Sequence, residues 1–272
     1  MLDAIRSSLT QHGVGDVRVT ERSGDEAVLA QSALRDGATA IVALGGDGTW
    51  SRVAAAVIEA NSGVPLAFLA AGTGNDFAES LGAPVRDVER TLALVRDGRT
   101  RQIDAGTVDN AIFVNSVGFG FDAFVLQHLR RVPVLPRKAV YLASAAVELA
   151  RYDGLRVSID DGAPERVLEV IVANAPNFGG GFHIAPGAAV DDGQLDLVCI
   201  DDGAWLTRAR LLGAARRGTH LGHRLVRTNR AASFQLVFDE PPWYQRDGEL
   251  VHASSRELVV GVLPRALTVV TE

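Results

Sequence analysis

Two glycine-rich loops carry the residue types that bind phosphate, and the first, Gly-Gly-Asp-Gly-Thr, occupies residues 45–49. It lies between a continuous apolar run, TAIVAL, and a segment with helical spacing, WSRVAAAVIEA. Glycine lets the backbone approach a ligand closely, and the free amides at a helix start attract anions. An acid beside phosphate is unfavourable unless a metal lies between them, so Asp47 indicates Mg²⁺ or a direct role in transfer. The alternative is a tight turn capped by aspartate, and three glycines followed by Thr49 favour phosphate over it.

The second loop, Gly-Thr-Gly-Asn-Asp at residues 72–76, repeats this logic after the apolar run VPLAFLA. Ligands of open α/β sheets bind outside the carboxyl ends of the strands. We therefore expect the two loops to face one crevice, each presenting an aspartate. The predicted nucleotide-binding residues are Gly45, Gly46, Gly48, Thr49, Gly72, Thr73, Gly74, Asn75 and Asp76.

The elements that must position these loops alternate between helix and strand over the first hundred residues. Unbroken apolar strands between helices are typical of a parallel sheet covered on both faces. After about Arg101, strand-like segments follow one another across Asp, Gly and Pro turns, among them a hairpin turn predicted at residues 160–162, which favours antiparallel pairing. Two predicted helices, at 138–152 and 204–218, interrupt these segments. We predict a doubly wound α/β domain at residues 1–104 and a mostly antiparallel β-sandwich at 105–272, with the last residues packing back on the first domain.

The start of the chain departs from the usual order of a doubly wound sheet, which opens with a strand. Apolar residues recur at helical spacing over residues 2–9, and only Val-Arg-Val-Thr at 17–20 predicts a short strand before the first loop. Ser-Gly-Asp-Glu at 23–26 predicts a capping box for the next helix. Because parallel sheets are built from strand–helix–strand units, we expect the first strand of the sheet to be missing.

Composition excludes several classes of function. The net charge of -6 argues against a general nucleic-acid-binding protein, which carries a basic excess. The sequence has no signal peptide and no apolar stretch long enough to span a bilayer, so we expect a cytoplasmic protein without a transmembrane segment. A single cysteine, Cys199, cannot form an internal disulfide and is expected to be a small buried apolar residue.

Three further segments have ordinary structural interpretations. Residues 118–123 match a Gly-x-Gly-x-x-Ala dinucleotide pattern, but in the strand-rich half a structural turn is the better interpretation. His220 and His223 predict a solvated helix end. The arginines of the preceding helix, at 208, 210, 216 and 217, could meet an anionic membrane, although an amphipathic helix packed on the sandwich is preferred.

The two loops together resemble the diacylglycerol kinase catalytic domain family, in its bacterial lipid kinase branch. This family is related to the sphingosine kinases and, more distantly, to the NAD kinases. Further motifs match in the family's order, from about residue 20 to 250: Ile-Asp-Ala-Gly at 103–106, GFGFDAFV at 118–125, GGGFHIAPGAAVDDGQLDLV at 179–198 and Arg-Asp-Gly-Glu at 246–249. The family's usual first strand and Asn-Pro-x-Ser/Ala-Gly loop have no match, so truncation of the chain start is a hypothesis.

The resemblance implies roles for individual residues. The first loop would hold the phosphates of ATP, and Asp47 would act in transfer. Asp104 would join a network of metal and water, and Asp247 or Glu249 would be the general base for the acceptor hydroxyl. The turn at 191–196 resembles a structural Mg²⁺ site in which backbone carbonyls and Asp196 help to hold the ion. Its implied ligands are Asp192, Leu195, Asp196 and Leu197.

The resulting expectation is a lipid kinase that uses ATP and Mg²⁺ to phosphorylate a hydroxyl of diacylglycerol or a similar lipid. Its partners would be ATP and a lipid acceptor at the membrane surface, with peripheral membrane association and with a homodimer allowed. A nucleotide- or lipid-binding protein without catalysis is one alternative. A kinase for a soluble acceptor such as NAD is another.

Overall fold

The computed structural model describes Leu9 and residues 15–129 and 148–271, which divide into two compact units. The first unit comprises Met1–Gln102 together with Leu267–Glu272, and the second comprises Ile103–Ala266. Among the helices of the described ranges, none combines the length and the apolar character needed to cross a bilayer.

The first unit alternates helices with parallel strands. Its elements are α1 (Asp25–Arg35), β1 (Ile41–Gly45), α2 (Asp47–Glu59), β2 (Leu66–Ala70), α3 (Asp76–Leu81) and α4 (Val88–Asp97). β1 and β2 pair in parallel, from Ile41 opposite Leu66 to Gly45 opposite Ala70. Val269, near the end of the chain, also pairs in parallel with Leu66. The predicted α/β organisation with a parallel sheet is confirmed.

An aromatic cluster fixes the helices of this unit on the buried strand β2. Trp50 of α2 is fully buried, with its ring centroid 4.7 Å from that of Phe68 on β2 and 5.8 Å from that of Phe77 on α3. Both helices begin directly after a glycine-rich loop, so this packing also fixes the positions of the two loops.

The segment before β1 differs from its prediction. Residues 17–20 form no strand, because Val19 is 39% exposed and Arg18 is held by ion pairs with Asp16 and Asp36. Gly24, with φ of 100°, caps α1 in place of Ser23, and Glu26 accepts the Gly24 amide at 2.7 Å instead of the Ser23 amide that the predicted capping box requires. Apart from Leu9, the predicted first helix lies outside the described residues.

Over its described residues, the second unit is built from antiparallel strands with two helices of a turn or more. Its elements are β3 (Thr100–Val108), which begins in the first unit, β4 (Ala111–Phe113), β5 (Ser116–Gly120), α5 (Phe121–Leu129), β6 (Leu155–Ile159), β7 (Glu165–Ala173), β8 (Leu195–Asp201), α6 (Trp205–Ala215), β9 (Val226–Ala231), β10 (Ser233–Phe238), β11 (Trp243–Arg246), β12 (Glu249–His252) and β13 (Glu257–Val270), which ends in the first unit. β7 pairs antiparallel with β5, β6 and β8, and β8 pairs with β9. The expected antiparallel second half is confirmed.

Strand β7 has an apolar core on each face. Val167, Val170 and Val172 belong to a cluster shared with β5, β10 and β13, whereas Leu168 and Ile171 belong to a cluster closed by α5 and α6. A β-bulge between Val167 and Glu169 shifts the register with β8. This strand is therefore buried almost throughout, as its continuous apolar sequence requires.

Two hairpins of this unit have turn signals in the sequence, and only the first of them was predicted. The predicted turn at Asp160 joins β6 and β7, with φ of 52° at Asp160. The hairpin of β11 and β12 was missed, although Asp247 and Gly248 supply its two positive φ angles, 46° and 80°. Helix α5 was also missed, because residues 118–123 were interpreted as a turn. A helix predicted at residues 138–152 lies mostly outside the described residues.

His220 does not lie at a solvated helix end. It is fully buried, and its Nε2 lies 3.0 Å from the carbonyl oxygen of Ile184. Burial lowers the pKa of this imidazole below its ordinary value, so the ring belongs to the core of the second unit.

Candidate active site

The two glycine-rich loops meet in the first unit. A Cβ added to Gly72 would lie 2.5 Å from the Cα of Gly46, so the loops touch at positions where only glycine fits. The Ala71 amide donates to the Gly45 carbonyl at 2.8 Å. The sequence-based expectation that the two loops lie side by side therefore has a direct structural basis in paired glycines.

Asp47 joins the loops through its carboxylate. Its Oδ2 accepts the Asn75 amide at 2.7 Å, and its Oδ1 accepts the Phe77 amide at 3.1 Å. These amides belong to the start of α3, where helix amides lack internal partners. The charge of Asp47 is thus stabilised by two backbone amides within the protein.

Asn75 gives the second loop its shape. It adopts φ of 62°, and its Oδ1 accepts the Gly72 amide at 2.9 Å while its Nδ2 donates to the Gly72 carbonyl at 3.1 Å. Asp76 is 5% exposed, whereas Thr73 and Gly74 are exposed. Of the predicted contacts in this loop, Thr73 and Gly74 can reach a ligand, and Asn75 acts on the loop itself.

The start of α2 leaves open space beside its first amides. No atom lies within 4 Å of a Cβ built on Gly48, whereas a Cβ on Gly45 would lie 2.5 Å from the Thr49 Oγ1. Thr49 therefore packs over Gly45, and Gly48 faces room for a ligand. The helix begins at Asp47, three residues earlier than its sequence pattern indicated.

Asp104 lies in the second unit and is 1% exposed. Its Oδ2 accepts the Gly193 amide and its Oδ1 accepts the Arg265 amide, each at 2.7 Å. Each oxygen therefore holds one backbone segment. The segment that contains Gly193 is the turn predicted to bind metal.

Asp247 is engaged in the same way in its hairpin turn. It accepts the amides of Val114, Asn115 and Ser116 at 2.9, 2.9 and 3.0 Å, and its own amide donates to the Ser116 carbonyl at 3.0 Å. Glu249, two residues later on β12, lies opposite Arg246 and is half-buried. The Asp-Gly-Glu motif thus contains one carboxylate that anchors the hairpin and one beside it on the strand.

At the turn implied as a Mg²⁺ site, residues 191–196, two of the aspartates pair with an arginine. Arg230 pairs with Asp192 through Nη2 and with Asp196 through Nε, the latter at 3.2 Å. Leu195 and Leu197 belong to β8, and Leu197 lies opposite Val172 on one side and Asn229 on the other. Within the described ranges, no group of three His, Cys, Asp or Glu side chains could hold a metal. A guanidinium already balances the charge that a cation would balance.

A buried acid pair in the second unit was missed by the sequence reasoning. Asp122 at the start of α5 and Glu169 of β7 are 4% and 5% exposed, and the Asp122 amide donates to the Glu169 Oε2 at 2.9 Å. Burial raises the pKa of Asp122 to about 6, and burial together with the neighbouring Asp122 raises the pKa of Glu169 well above its ordinary value. The sequence did contain a signal for this pair, because Glu169 interrupts the apolar run RVLEVIVANA. An acid in such a strand is rarely buried without a partner.

The acid pair lies in the wall of an apolar cleft in this unit. The cleft is small, with a cavity volume of about 50 Å³, and is partly open to solvent. The other lining residues come from α5, the segment before β6, α6, β7, β8 and the segment between β7 and β8: Phe121, Leu149, Leu168, Ile171, Phe178, Phe182, Ile184, Ile200, Arg208, Leu211, Leu212 and Ala215.

Family models match both halves of the chain. One described as the diacylglycerol kinase catalytic domain matches residues 1–108, and one described as the YegS C-terminal NAD kinase β-sandwich-like domain matches residues 115–271.

Individual proteins show the same relationship. A diacylglycerol kinase of Mycobacterium tuberculosis (strain CDC 1551 / Oshkosh) is 31% identical over 238 residues, which cover 84% of this chain and 76% of that protein. A protein of Pseudomonas syringae pv. syringae named "Probable lipid kinase YegS-like" is 33% identical over 199 residues, 72% of this chain and 65% of its own length. The crystal structure of a diacylglycerol kinase from Bacillus anthracis str. Sterne has the same fold, with a TM-score of 0.70, 20% identity and coverage of 93% of this chain and 83% of that chain. The chain therefore belongs to the diacylglycerol kinase catalytic domain family.

Proposed function

We propose that this protein is a lipid kinase that transfers the γ-phosphate of ATP to a hydroxyl of diacylglycerol or a similar lipid. The observation that carries the proposal is the contact of the two glycine-rich loops through Gly46 and Gly72 at the start of α2. In this family, two phosphate-type loops that meet at the ends of parallel strands are best explained by a bound nucleotide.

The first loop would receive the phosphates of ATP. The opening amides of α2 have no partner within their helix, and the open space at Gly48 lets a phosphate approach them. Asp47 and Asn75 would keep the second loop beside the first, with Thr73 and Gly74 as exposed contacts. Asp47 is thus a positioning residue as well as a carboxylate next to the phosphates.

The residues present fit a nucleotide-bound Mg²⁺, which takes most of its ligands from phosphates and water. Each oxygen of Asp47 accepts one amide and retains a second lone pair, so Asp47 has the capacity to hold the ion. Mg²⁺ would neutralise the charge that develops on the phosphate oxygens during transfer. The turn at Asp192 and Asp196 takes no part in this proposal, because Arg230 occupies both carboxylates.

Glu249 is our candidate for the general base that accepts the proton of the acceptor hydroxyl. Asp104 and Asp247 are less suited, because their carboxylates accept two and three backbone amides, respectively. Carboxylates held by the backbone in this way are less available to an incoming hydroxyl.

The apolar cleft of the second unit would offer an apolar contact to the lipid part of the acceptor. Its walls are aliphatic and aromatic, and the acid pair offers polar atoms at one place in them. An apolar lining with few polar groups is typical of a small-molecule site.

A transfer assay tests the proposal. Purified protein is incubated with labelled ATP, Mg²⁺ and diacylglycerol in detergent micelles, and the labelled lipid is counted. We expect transfer by the wild type, at least a hundredfold less by Glu249→Gln, and unchanged ATP binding by that variant. Nucleotide binding without any transfer would instead favour the non-catalytic alternative. Transfer to a soluble acceptor but not to lipid would overturn the proposed substrate class.

A further inference from the structure

The outward face of α6 combines exposed apolar residues with arginines. Trp205 and Leu206 are 61% and 51% exposed. Arg210 and, directly after the helix, Arg216 and Arg217 are also exposed, and the spacing of 3.6 residues per turn puts them on the same side as the apolar pair. We call these five residues the α6 surface.

The opposite face of the same helix is committed to the fold. Leu211 and Ala215 are buried, and Leu212 lines the apolar cleft. The Arg208 guanidinium pairs with Asp202 at 2.6 Å and donates to the carbonyls of Leu149 and Tyr152. The exposed Trp205 and Leu206 are thus additional to the apolar residues that pack α6 on the sheet.

The charge around the α6 surface is segregated from that of the rest of the chain. Residues 203–238 contain seven arginines and no Asp or Glu, in a protein whose net charge is -6. Arg208, Arg227 and Arg230 are neutralised by ion pairs. The three arginines of the α6 surface form no such pair with any residue of the described ranges.

We propose that the α6 surface docks the protein on an anionic phospholipid bilayer. This proposal rests on the proposed lipid kinase function, since its acceptor resides in a bilayer. Tryptophan and leucine favour the headgroup boundary, and arginine is attracted to anionic lipids. A helix of this kind lies in the plane of the interface with its apolar residues inserted. The cleft on the reverse face of α6 would then be close to the layer that supplies the lipid.

A vesicle-binding experiment tests docking without catalysis. The full-length protein, without nucleotide or diacylglycerol, is mixed with vesicles of phosphatidylcholine alone or with phosphatidylglycerol added, and binding is measured by flotation. We expect binding to the anionic vesicles only, weakened by added salt because mobile ions screen the arginines. Wild-type protein that fails to bind the anionic vesicles would overturn the proposal.

Tryptophan fluorescence locates the contact. The chain has three tryptophans, of which Trp50 is fully buried, so a Trp243→Phe background leaves Trp205 as the accessible reporter. Lipids brominated on their acyl chains should quench its emission. Binding without quenching would place the contact elsewhere and overturn the assignment.

Substitutions separate the two components of the surface. Trp205→Ala should weaken binding roughly tenfold through lost apolar burial. Arg216→Gln with Arg217→Gln should weaken it roughly twenty-fivefold, at about fivefold per arginine. The matched controls are Trp243→Ala, at another exposed tryptophan, and Arg156→Gln with Arg166→Gln, which removes an arginine pair that lies face to face on β6 and β7. Equal losses in the controls and in the α6 variants would contradict a defined docking surface.

The micelle assay distinguishes failure of docking from failure of the kinase proposal. The α6 variants should transfer phosphate to dispersed diacylglycerol at the wild-type rate and lose transfer only on vesicles. Vesicle binding by a wild type that is inactive in micelles would reject the kinase and keep the docking surface. Transfer in micelles by a wild type that does not bind vesicles would reject the docking surface and keep the kinase.

Discussion

Three aspartates singled out for chemistry turn out to organise backbone. The carboxylates of Asp47, Asp104 and Asp247 all accept main-chain amides through both oxygens. The three motifs that contain these aspartates therefore reflect the needs of the fold as well as those of the proposed reaction. At the residue scale, this argues for separating loss of stability from loss of activity whenever one of them is replaced.

Asp247→Asn should destabilise the second unit. An amide group in place of one oxygen would direct N–H groups at the amides of Val114, Asn115 or Ser116, so a buried hydrogen bond would be lost. We expect a decrease of about 1–3 kcal/mol in the free energy of unfolding, measured by urea denaturation. Asp239→Asn, whose side chain is 69% exposed, is the control. Unchanged stability together with lost phosphate transfer would instead assign Asp247 to the chemistry.

The acid pair predicts a dependence of stability on pH. The pKa of Asp122 is raised to about 6 in the folded state, so its contribution to stability is complete below the ordinary value of 3.8 and is lost as the pH rises through about 6. Asp122→Asn removes this loss. Relative to the wild type, the variant should therefore be more stable at about pH 8 than at about pH 5 in urea unfolding.

The control for this measurement is Asp161→Asn, in the exposed turn between β6 and β7. A stability difference between Asp122→Asn and the wild type that stays constant over the same pH range would show that Asp122 does not titrate in the folded state.

At the scale of elements, substitutions at two glycines test two different requirements of the loops. Gly72 tests the close contact between the loops, and Gly48 tests the open space at the start of α2. Gly72→Ala would place a Cβ 2.5 Å from the Gly46 Cα and force the loops apart, costing about 1–3 kcal/mol of unfolding free energy. Gly48→Ala meets no atom within 4 Å and lies in α2, so it should keep or raise stability by up to about 1 kcal/mol.

Both glycine variants should bind ATP more weakly in calorimetry, for different reasons. In Gly72→Ala the loops are displaced, and in Gly48→Ala a methyl group occupies the space proposed for phosphate. If Gly48→Ala binds ATP with the wild-type affinity, the phosphate does not bind at the start of α2.

What the sequence could predict follows from the range of the interactions involved. β1, β2 and the helices after them were predicted because apolar runs and glycine-rich junctions are local signals. The roles of Asp47 and Asp247 were not, because their acceptor contacts join residues 28 to 30 and 131 to 133 positions apart. The strand expected at 17–20 failed because local β propensity supplies no partner strand. The hairpin at Asp247 had a turn signal, but its Asp-Gly was assigned to chemistry alone.

At the scale of the whole molecule, the end of the chain belongs to the first unit. Leu267 and Val269 are each 1% exposed, and Val269 pairs with Leu66 of β2. The Thr271 amide donates to the Arg99 carbonyl at 3.3 Å. The first unit is therefore assembled from two stretches of sequence, with the whole second unit inserted between them in the chain.

Replacing Leu267 and Val269 together by alanine should unfold the first unit at lower denaturant. Two buried side chains are truncated, so we expect a loss of about 4 kcal/mol or more. The emission of the buried Trp50 reports on this unit, preferably in a background without Trp205 and Trp243. Thr268→Ala with Val270→Ala, at the alternating half-buried positions, is the matched control. Equal losses in both double variants would contradict a specific role for the buried pair.

The insertion of the second unit has a consequence for synthesis on the ribosome. Val269 emerges roughly two hundred residues after its partner on β2, a delay of ~10–40 s at ~5–20 residues per second. During this time the β2 edge lacks the strand that will cover it, and an uncovered edge pairs readily with other chains. The first unit is thus translated first but is completed only after the second, and its final folding step must wait until Val269 has been translated.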